Sequence, residues 1–248
     1  MNNAIITTSW DDGHPSDFKL VKLLQKYDVP ATFYIPINNV ERQGMTPQGI
    51  REIAQSFDIG GHAWHHVNLT HISPEEAETE IVDSKKRLEE IIGREVLSFC
   101  YPDGKFDDKV INLVKQAGFI GGRTTKLFTR SLNDTFKMGT MVYVKDLWFV
   151  NNLKRSAAAL DPGLFYFLLK KNLFFEGWNR IAIETLNFVI ENGGVWHLWG
   201  HSWEIDSNND WGRLKEVLCQ ISMLRREVLK VDNSQLLRIW YGNRQEEG

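Results

Sequence analysis

The chain has 248 residues, of which 42% are hydrophobic and 25% are charged. A chain of this length and composition can bury a substantial core without help, which excludes the disordered and the disulfide-dependent classes. Its net charge of −3 at pH 7 is small and its lysines and arginines are dispersed, so no nucleic acid is expected among its partners. No segment approaches the ~20 apolar residues of a membrane-spanning helix, so no integral membrane segment is expected.

Cysteine usage and the start of the chain bear on the cellular compartment. Cys100 and Cys219 are isolated in apolar surroundings, a pattern typical of buried small side chains and not of a disulfide framework. Residues 1–3 lead directly into a strand-like run, without the basic and long apolar regions of a secretory leader. The sequence therefore predicts a cytoplasmic protein.

Strand and helix patterns alternate through the first half of the chain. The most distinct helix signal is Ser73-Pro74-Glu75-Glu76, a capping box with proline at the first helical position, and Gly93 ends that helix. The patterns predict strands at residues 4–9, 31–35, 58–61, 97–101 and 119–124, and helices at residues 17–26, 47–55, 73–93 and 108–117.

The second half is less regular. Alternation of β and α elements without internal repeats favours an α/β fold with a parallel sheet, and a closed or nearly closed (β/α) barrel fits the length. A doubly wound open sheet is the alternative, but no Gly-rich nucleotide-binding loop follows any predicted strand. We expect a single domain over residues 1–248. In this half the patterns predict strands at residues 141–144 and 195–199, and helices at residues 164–175, 181–190 and 214–228.

Carboxylates and imidazoles follow two of the predicted strands. Asp11 and Asp12 end the first strand, and His62 and His66 follow the third, at a spacing that can bring two rings to one side of a helical turn. A catalytic zinc ion takes about three nitrogen or oxygen ligands and keeps one position open for water. Adjacent side chains at a strand end point in different directions, so one carboxylate can bind metal while the other serves as a base.

These two strings resemble the first two motifs of the polysaccharide deacetylases, the NodB homology domains of carbohydrate esterase family 4. The first match is Ser9-Trp10-Asp11-Asp12, and the second runs from His62 to His66, with Ala63 in the place of Ser or Thr. The resemblance covers residues 4–104 and resumes near residue 193. It implies the distorted seven-stranded barrel of that family. It also implies Asp11 as general base and, as ligands of a divalent metal ion, Asp12, His62 and His66.

The third motif of that family is Arg-Pro-Pro-Tyr-Gly, and the corresponding string here is Cys100-Tyr101-Pro102-Asp103-Gly104. Cys100 replaces the arginine that holds the catalytic base in the family, and Arg123 is our predicted substitute. The family turn supplies a backbone N–H to an oxyanion hole. Because Pro102 has no N–H, Asp103 is the predicted donor, with Tyr101 beside it.

The family's last motif is a Leu-x-His type string that closes a late strand. Two histidines are available here, His197 and His201. By resemblance we choose His201, which lies beyond the strand, as general acid, with His197 as the alternative or as an orienting residue. Trp199 is a predicted substrate-binding residue, because aromatic walls bury the apolar faces of sugar rings. An equally open interpretation places Trp199 and its neighbours Trp196 and Trp203 in the core.

The resemblance implies a metal-dependent hydrolase that removes N-acetyl or other N-acyl groups from an amino sugar. Because the predicted location is cytoplasmic, a small glycan precursor is the expected substrate. Zinc is the first choice of metal, and cobalt, nickel and iron are alternatives, since each accepts two histidines and an aspartate. Two other functions stay open: a hydrolase of the same fold acting on an N-formyl group or cyclic amide, and a catalytically silent carbohydrate-binding domain.

Overall fold

A computed structural model describes residues 4–159, 161–224 and 228–246. Its centre is a parallel sheet in which the strand order is β5-β4-β3-β2-β1-β7-β6, and the short β8 pairs with β1 beside this path. The strands are β1 (Ala4–Asp11), β2 (Thr32–Ile35), β3 (Asp58–Gly61), β4 (Ser98–Cys100), β5 (Gly121–Arg123), β6 (Val142–Tyr143), β7 (Gly194–Gly200) and β8 (Leu229–Lys230).

The two ends of the sheet are joined by the chain segment that leads into β6. Met138 forms a parallel bridge with Arg123, and its N–H donates to the Gly122 carbonyl at 3.0 Å. Three residues later, the Met141 N–H donates to the His197 carbonyl at 2.8 Å. The segment therefore contacts β5 and β7 in turn and curls the sheet into a distorted barrel. The predicted α/β barrel is confirmed, whereas a single domain over residues 1–248 stays a prediction.

Helices cover the outside of the sheet. The capping box predicted at the start of α3 is present: Ser73 Oγ accepts the Glu76 N–H, and the Glu76 carboxylate accepts the Ser73 N–H. The helices are α1 (Asp17–Tyr27), α2 (Pro47–Ala54), α3 (Pro74–Ile92), α4 (Asp108–Gln116), α5 (Phe149–Ala158), α6 (Pro162–Lys170), α7 (Trp178–Asn192), α8 (Ser202–Ser207), α9 (Trp211–Ser222) and α10 (Asn233–Glu246).

The predicted elements of the first half agree with the structure to within a few residues, but the second half needs correction. The helix predicted at residues 164–175 ends at Lys170, because Asn172 adopts a left-handed φ of 56° before a separate 3₁₀ turn. The helix predicted at residues 214–228 ends at Ser222, and residues 225–227 lie outside the described part. Helices α5, α8 and α10 were not predicted.

Strand β1 is the centre of the fold and delivers the first two carboxylates. It pairs with β2, β7 and β8, and seven of its eight residues are buried. The strand ends at Asp11, and Asp12 leaves it with a left-handed φ of 79°. The backbone therefore turns between the two neighbouring carboxylates, and their side chains point in different directions.

A close approach between β2 and β3 sets the path of the strand that leads to His62. Tyr34 pairs with Gly60, and a Cβ atom built on Gly60 would lie 2.3 Å from the Tyr34 ring. Only a residue without a side chain fits there, because the ring is fully buried and has no space into which to move.

We predict that Gly60→Ala lowers the free energy of unfolding by about 1–3 kcal/mol, the usual cost of overpacking a core. Urea denaturation measures the change. The control is Gly44→Ala, since Gly44 is exposed and nothing lies within 4 Å of the position that its Cβ atom would occupy. The control changes stability by no more than about 0.5 kcal/mol. Equal midpoints for the two variants would contradict the proposed close contact.

Candidate active site

The predicted site residues meet at the carboxyl edge of the sheet, around one cavity of about 320 Å³. In parallel α/β folds this edge gathers the residues that follow different strands, so side chains far apart in sequence become neighbours. Arg123 does not line the cavity but lies directly behind it. The predicted residues in the cavity wall are Asp11, Asp12, His62, His66, Tyr101, Asp103, Trp199 and His201.

Asp12, His62 and His66 form a buried cluster with the composition of a metal site. Asp12 Oδ1 lies 3.4 Å from His66 Nε2 and 3.8 Å from His62 Nε2, and it has no hydrogen-bond partner. Ligand atoms about 2.05 Å from a tetrahedral zinc ion would lie about 3.3 Å apart, so small movements would complete the site. An unpartnered buried carboxylate oxygen directed at two imidazoles fits a divalent cation.

A hydrogen bond to the backbone fixes the tautomer of His62. His62 Nδ1 donates to the Cys100 carbonyl at 2.8 Å, which leaves the Nε2 lone pair free for a metal ion. Burial, followed by the nearby His66 imidazole, lowers the pKa of His62 below its ordinary value. The ring is therefore neutral at physiological pH, as a metal ligand must be.

His62 and His66 belong to a loop and not to the helical turn that their spacing suggested. Two residues of the loop adopt left-handed backbone conformations, Ala63 with φ 62° and His66 with φ 60°. Glu80 of α3 holds the loop, since its carboxylate accepts the Trp64 and His65 N–H groups at 2.9 and 2.8 Å. Sequence reasoning missed Glu80, which is one of many glutamates on an acidic helix.

Asp11 forms a buried ion pair with Arg123. The Arg123 guanidinium donates through Nη2 to both carboxylate oxygens, and neither side chain is more than 4% exposed. Burial by itself would raise the pKa of Asp11, but the positive charge and hydrogen bonds of Arg123, together with the nearby His62 and His201, bring the pKa below its ordinary value. Cys100 and Arg123 are paired neighbours on β4 and β5. An arginine one strand away from the third motif thus contacts Asp11, and its role as the substitute for the motif arginine stays a prediction.

His201 is oriented by a network that the sequence did not predict. Its Nδ1 lies 2.7 Å from Glu204 Oε2, and that carboxylate also accepts hydrogen bonds from Tyr143 and from Lys145. Although burial lowers the pKa of His201, the hydrogen bond to Glu204 and the nearby negative charges raise it above the ordinary value. The other nitrogen, Nε2, lies 4.0 Å from Asp11 Oδ2, within the cavity.

His197 lies deeper, inside the barrel. Its Nε2 makes a 2.8 Å hydrogen bond with Ser9 Oγ, and the ring is fully buried. Burial, with the nearby Arg123 charge, lowers the pKa of His197 to about 3, so it stays neutral. Of the two histidines considered for the acid, His201 is the one that lines the cavity.

The aromatic side chains have different roles in the structure. Trp196 is fully buried and donates to Thr185 at 3.1 Å, which places it in the core. Trp199 lines the cavity but is only 5% exposed, and it stacks on Tyr143 with ring centroids 4.2 Å apart. Trp203 donates its indole N–H to Asp12 Oδ2 at 2.8 Å and leaves Asp12 Oδ1 free.

The turn after β4 presents the predicted oxyanion donor. Asp103 adopts a left-handed φ of 56°, and the turn is closed by the Gly104 N–H donating to the Tyr101 carbonyl at 2.9 Å. Among the described residues, no backbone acceptor takes the Asp103 N–H. Tyr101 itself is buried, and its hydroxyl donates to the Phe136 carbonyl at 3.0 Å, so its ring supports the turn from below.

Comparison with known proteins shows which family the chain is similar to. A family model for polysaccharide deacetylases matches residues 1–121. Over this stretch the chain is similar to the polysaccharide deacetylase family. It is 31% identical over 121 residues to a peptidoglycan-N-acetylglucosamine deacetylase of Bacillus cereus, covering 48% of this chain and 55% of that protein. It is 32% identical over 122 residues to a chitooligosaccharide deacetylase of Azorhizobium caulinodans, covering 47% and 56%. The matched segment spans about half the length of these curated relatives.

Solved structures of this family share the fold over nearly the whole chain. A putative polysaccharide deacetylase from Mycobacterium smegmatis superposes with a TM-score of 0.69 at 16% identity, covering 98% of this chain and 92% of that one. A carbohydrate esterase family 4 pseudoenzyme from Bacillus anthracis superposes with a TM-score of 0.53 at 17% identity, covering 95% and 66%. At these identities the likeness concerns the fold alone. Among the described residues, no helix is long and apolar enough to cross a membrane.

We predict that the purified protein holds about one divalent metal ion per chain and that Asp12→Ala or His66→Ala loses it, because a three-ligand site cannot spare a ligand. Elemental analysis after dialysis measures the content. His65→Ala is the matched control, since His65 Nδ1 contacts Glu80 at 2.5 Å on the other side of the loop. Full metal content in Asp12→Ala and His66→Ala would show that the ligands are other residues.

Proposed function

We propose that this protein is a metal-dependent hydrolase that removes N-acetyl groups from an amino sugar or a glycan precursor. The observation that carries the proposal is the placement of three different groups around one cavity. These are a charged Asp11 held by Arg123, an unpartnered Asp12 oxygen beside two neutral imidazoles, and a His201 nitrogen facing both carboxylates. A binding module has no need for a base and an acid on either side of a metal site.

Asp12, His62 and His66 would hold the divalent ion, and the donor set fits zinc, with cobalt, nickel and iron as alternatives. A bound divalent ion lowers the pKa of water toward ~7 and polarises an acyl oxygen. The protein orients the ligand side chains. It fixes the ring of His62 through the Cys100 carbonyl, and it holds Asp12 through the indole of Trp203.

The remaining residues move protons and stabilise charge. Asp11 accepts a proton from the water that attacks the amide carbonyl carbon, and Arg123 keeps this carboxylate ionised and correctly placed. The Asp103 N–H donates to the oxyanion of the tetrahedral intermediate. His201, protonated beside Glu204, donates its Nε2 proton to the amine as the C–N bond breaks. Acetate and the free amine are the products.

Two other functions are tested by adding N-formyl amino sugars and cyclic amides to the substrates. A hydrolase acting on an N-formyl group or a cyclic amide would use the same base and acid. It is distinguished by the acid released or the ring opened. A catalytically silent carbohydrate-binding domain would bind sugars and release nothing. The relatives named above act on peptidoglycan and chitooligosaccharide, and these names support an N-acetylated amino sugar as the first substrate class to test.

We predict that the metal-loaded protein releases acetate and that Asp11→Asn loses ~10²–10⁴-fold in rate, because it removes the general base. Acetate release is measured from monomeric, lipid-linked and polymeric N-acetylated amino sugars. Asp206→Asn is the control, since Asp206 is an exposed carboxylate that bonds Lys19 outside the proposed machinery. Metal content must be unchanged in both variants. A wild-type rate in Asp11→Asn would exclude Asp11 as the base.

Activity confined to small substrates would support a glycan precursor, and activity confined to long polymers would overturn that part of the proposal. The cytoplasmic location stays a prediction. Fractionation of cells that express the gene from its native start site tests it.

We also predict that Glu204→Gln lowers kcat and moves the alkaline limb of the pH profile to lower pH. Glu204 raises the pKa of His201, and the acid must be protonated to act. Without the charge, His201 loses its proton at a lower pH, and the activity falls with it. Glu216→Gln, on an exposed face of α9 where it accepts from Asn179, is the control. An unchanged alkaline limb in Glu204→Gln would contradict this positioning role.

A further inference from the structure

A second cluster of ligand atoms lies directly beneath the proposed metal site. Cys100 Sγ is 3.8 Å from Asp11 Oδ2 and 3.9 Å from His62 Nε2. All three residues are buried, and the three ligand atoms lie within 4.8 Å of one another. Cys100 occupies the position at which the third motif would place an arginine, so a soft ligand here replaces a cation.

The distances suit a single ion bound by sulfur. A metal–sulfur bond is about 2.3 Å long, and metal–nitrogen or metal–oxygen bonds are about 2.05 Å long. In a tetrahedral site the sulfur atom then lies about 3.6 Å from each nitrogen or oxygen ligand atom. The observed separations of 3.8 and 3.9 Å exceed this value by a few tenths of an ångström. A larger ion such as cadmium, whose bonds are longer, fits them better still.

The two clusters share one atom, His62 Nε2, and therefore exclude each other. His62 Nδ1 donates a hydrogen bond to the Cys100 carbonyl, so the ring has one nitrogen available for a metal ion. An ion held with Asp12 and His66 leaves Asp11 free. An ion held with Cys100 takes up Asp11, the residue that the proposed mechanism needs as its base.

We propose that Asp11, His62 and Cys100 form an inner binding position for a thiophilic divalent cation such as Cd²⁺, which competes with the outer position and blocks the base. Soft thiolate ligands favour such cations, whereas the outer set of one carboxylate and two imidazoles has no sulfur. The thiol releases its proton to solvent when the metal–sulfur bond forms. Asp11 is already ionised and paired with Arg123, so the new thiolate offsets one of the two positive charges of the ion, and the buried site gains one positive charge.

The measurement of Cd²⁺ binding needs no substrate. Metal-depleted full-length protein is titrated with Cd²⁺, and the ultraviolet charge-transfer band of the cadmium–thiolate bond is followed. We expect the band in the wild type and in Cys219→Ser, the matched control at the other cysteine. We expect its loss in Cys100→Ser and in His62→Ala. His66→Ala retains it, because the inner position does not use His66.

A band that persists in Cys100→Ser, or that disappears in His66→Ala, overturns the proposal. Cadmium X-ray absorption of the wild-type protein provides a measurement that does not depend on folding of any variant. We expect one sulfur together with nitrogen and oxygen neighbours, and a shell without sulfur contradicts the inner position.

The consequence for catalysis rests on the proposed function and is measured separately. Cd²⁺ inhibits acetate release by the zinc-loaded wild type, and Cys100→Ser raises the Cd²⁺ concentration for half inhibition by at least ~10-fold, the scale on which metal-site ligand changes act. If no substrate releases acetate, the proposed function fails while the spectroscopic result still decides the inner position. If acetate is released and Cd²⁺ inhibits the wild type and Cys100→Ser equally, the proposed competition between the two metal positions is wrong, while the deacetylase proposal stands.

Discussion

The buried ion pair between Asp11 and Arg123 is the interaction on which the rest of the site depends. A carboxylate at 3% exposure carries a large desolvation cost, and a lone one would take up a proton. Arg123 offsets that cost through two hydrogen bonds, and its own guanidinium lies over the rings of Trp199 and Tyr34. Because the pair is enclosed, Asp11 keeps both its charge and its orientation, as the proposed role of a base requires.

Each reactive group at the cavity is held by a second residue from another part of the chain. Glu204 and Tyr143 hold His201, the Cys100 carbonyl holds His62, and Trp203 holds Asp12. These contacts join β4, β6 and α8 around the end of β1. The arrangement fixes ring orientations and carboxylate rotamers before any ligand binds, so little reorganisation is left for the reaction itself.

The departure from the family pattern at the third motif has two consequences in this fold. Arg123 forms the ion pair with Asp11 from the neighbouring strand, where the parallel register places it beside Cys100. The vacated position then holds a thiol within 4 Å of a proposed metal ligand. Two positions together, Cys100 and Arg123, thus keep a cation beside Asp11 and place a thiol next to His62.

The sequence by itself determined the parallel α/β fold and the capped helix α3, because periodicity and capping are local properties, and the resemblance of its motifs to a known family supplied the ligand and base candidates. Only the tertiary structure decided which partners these residues have. The 112-residue separation of Asp11 and Arg123, the depth of His197 against His201, and the roles of Glu80 and Glu204 depend on strand register and curvature. Those quantities arise from the packing of whole elements, and no local pattern encodes them.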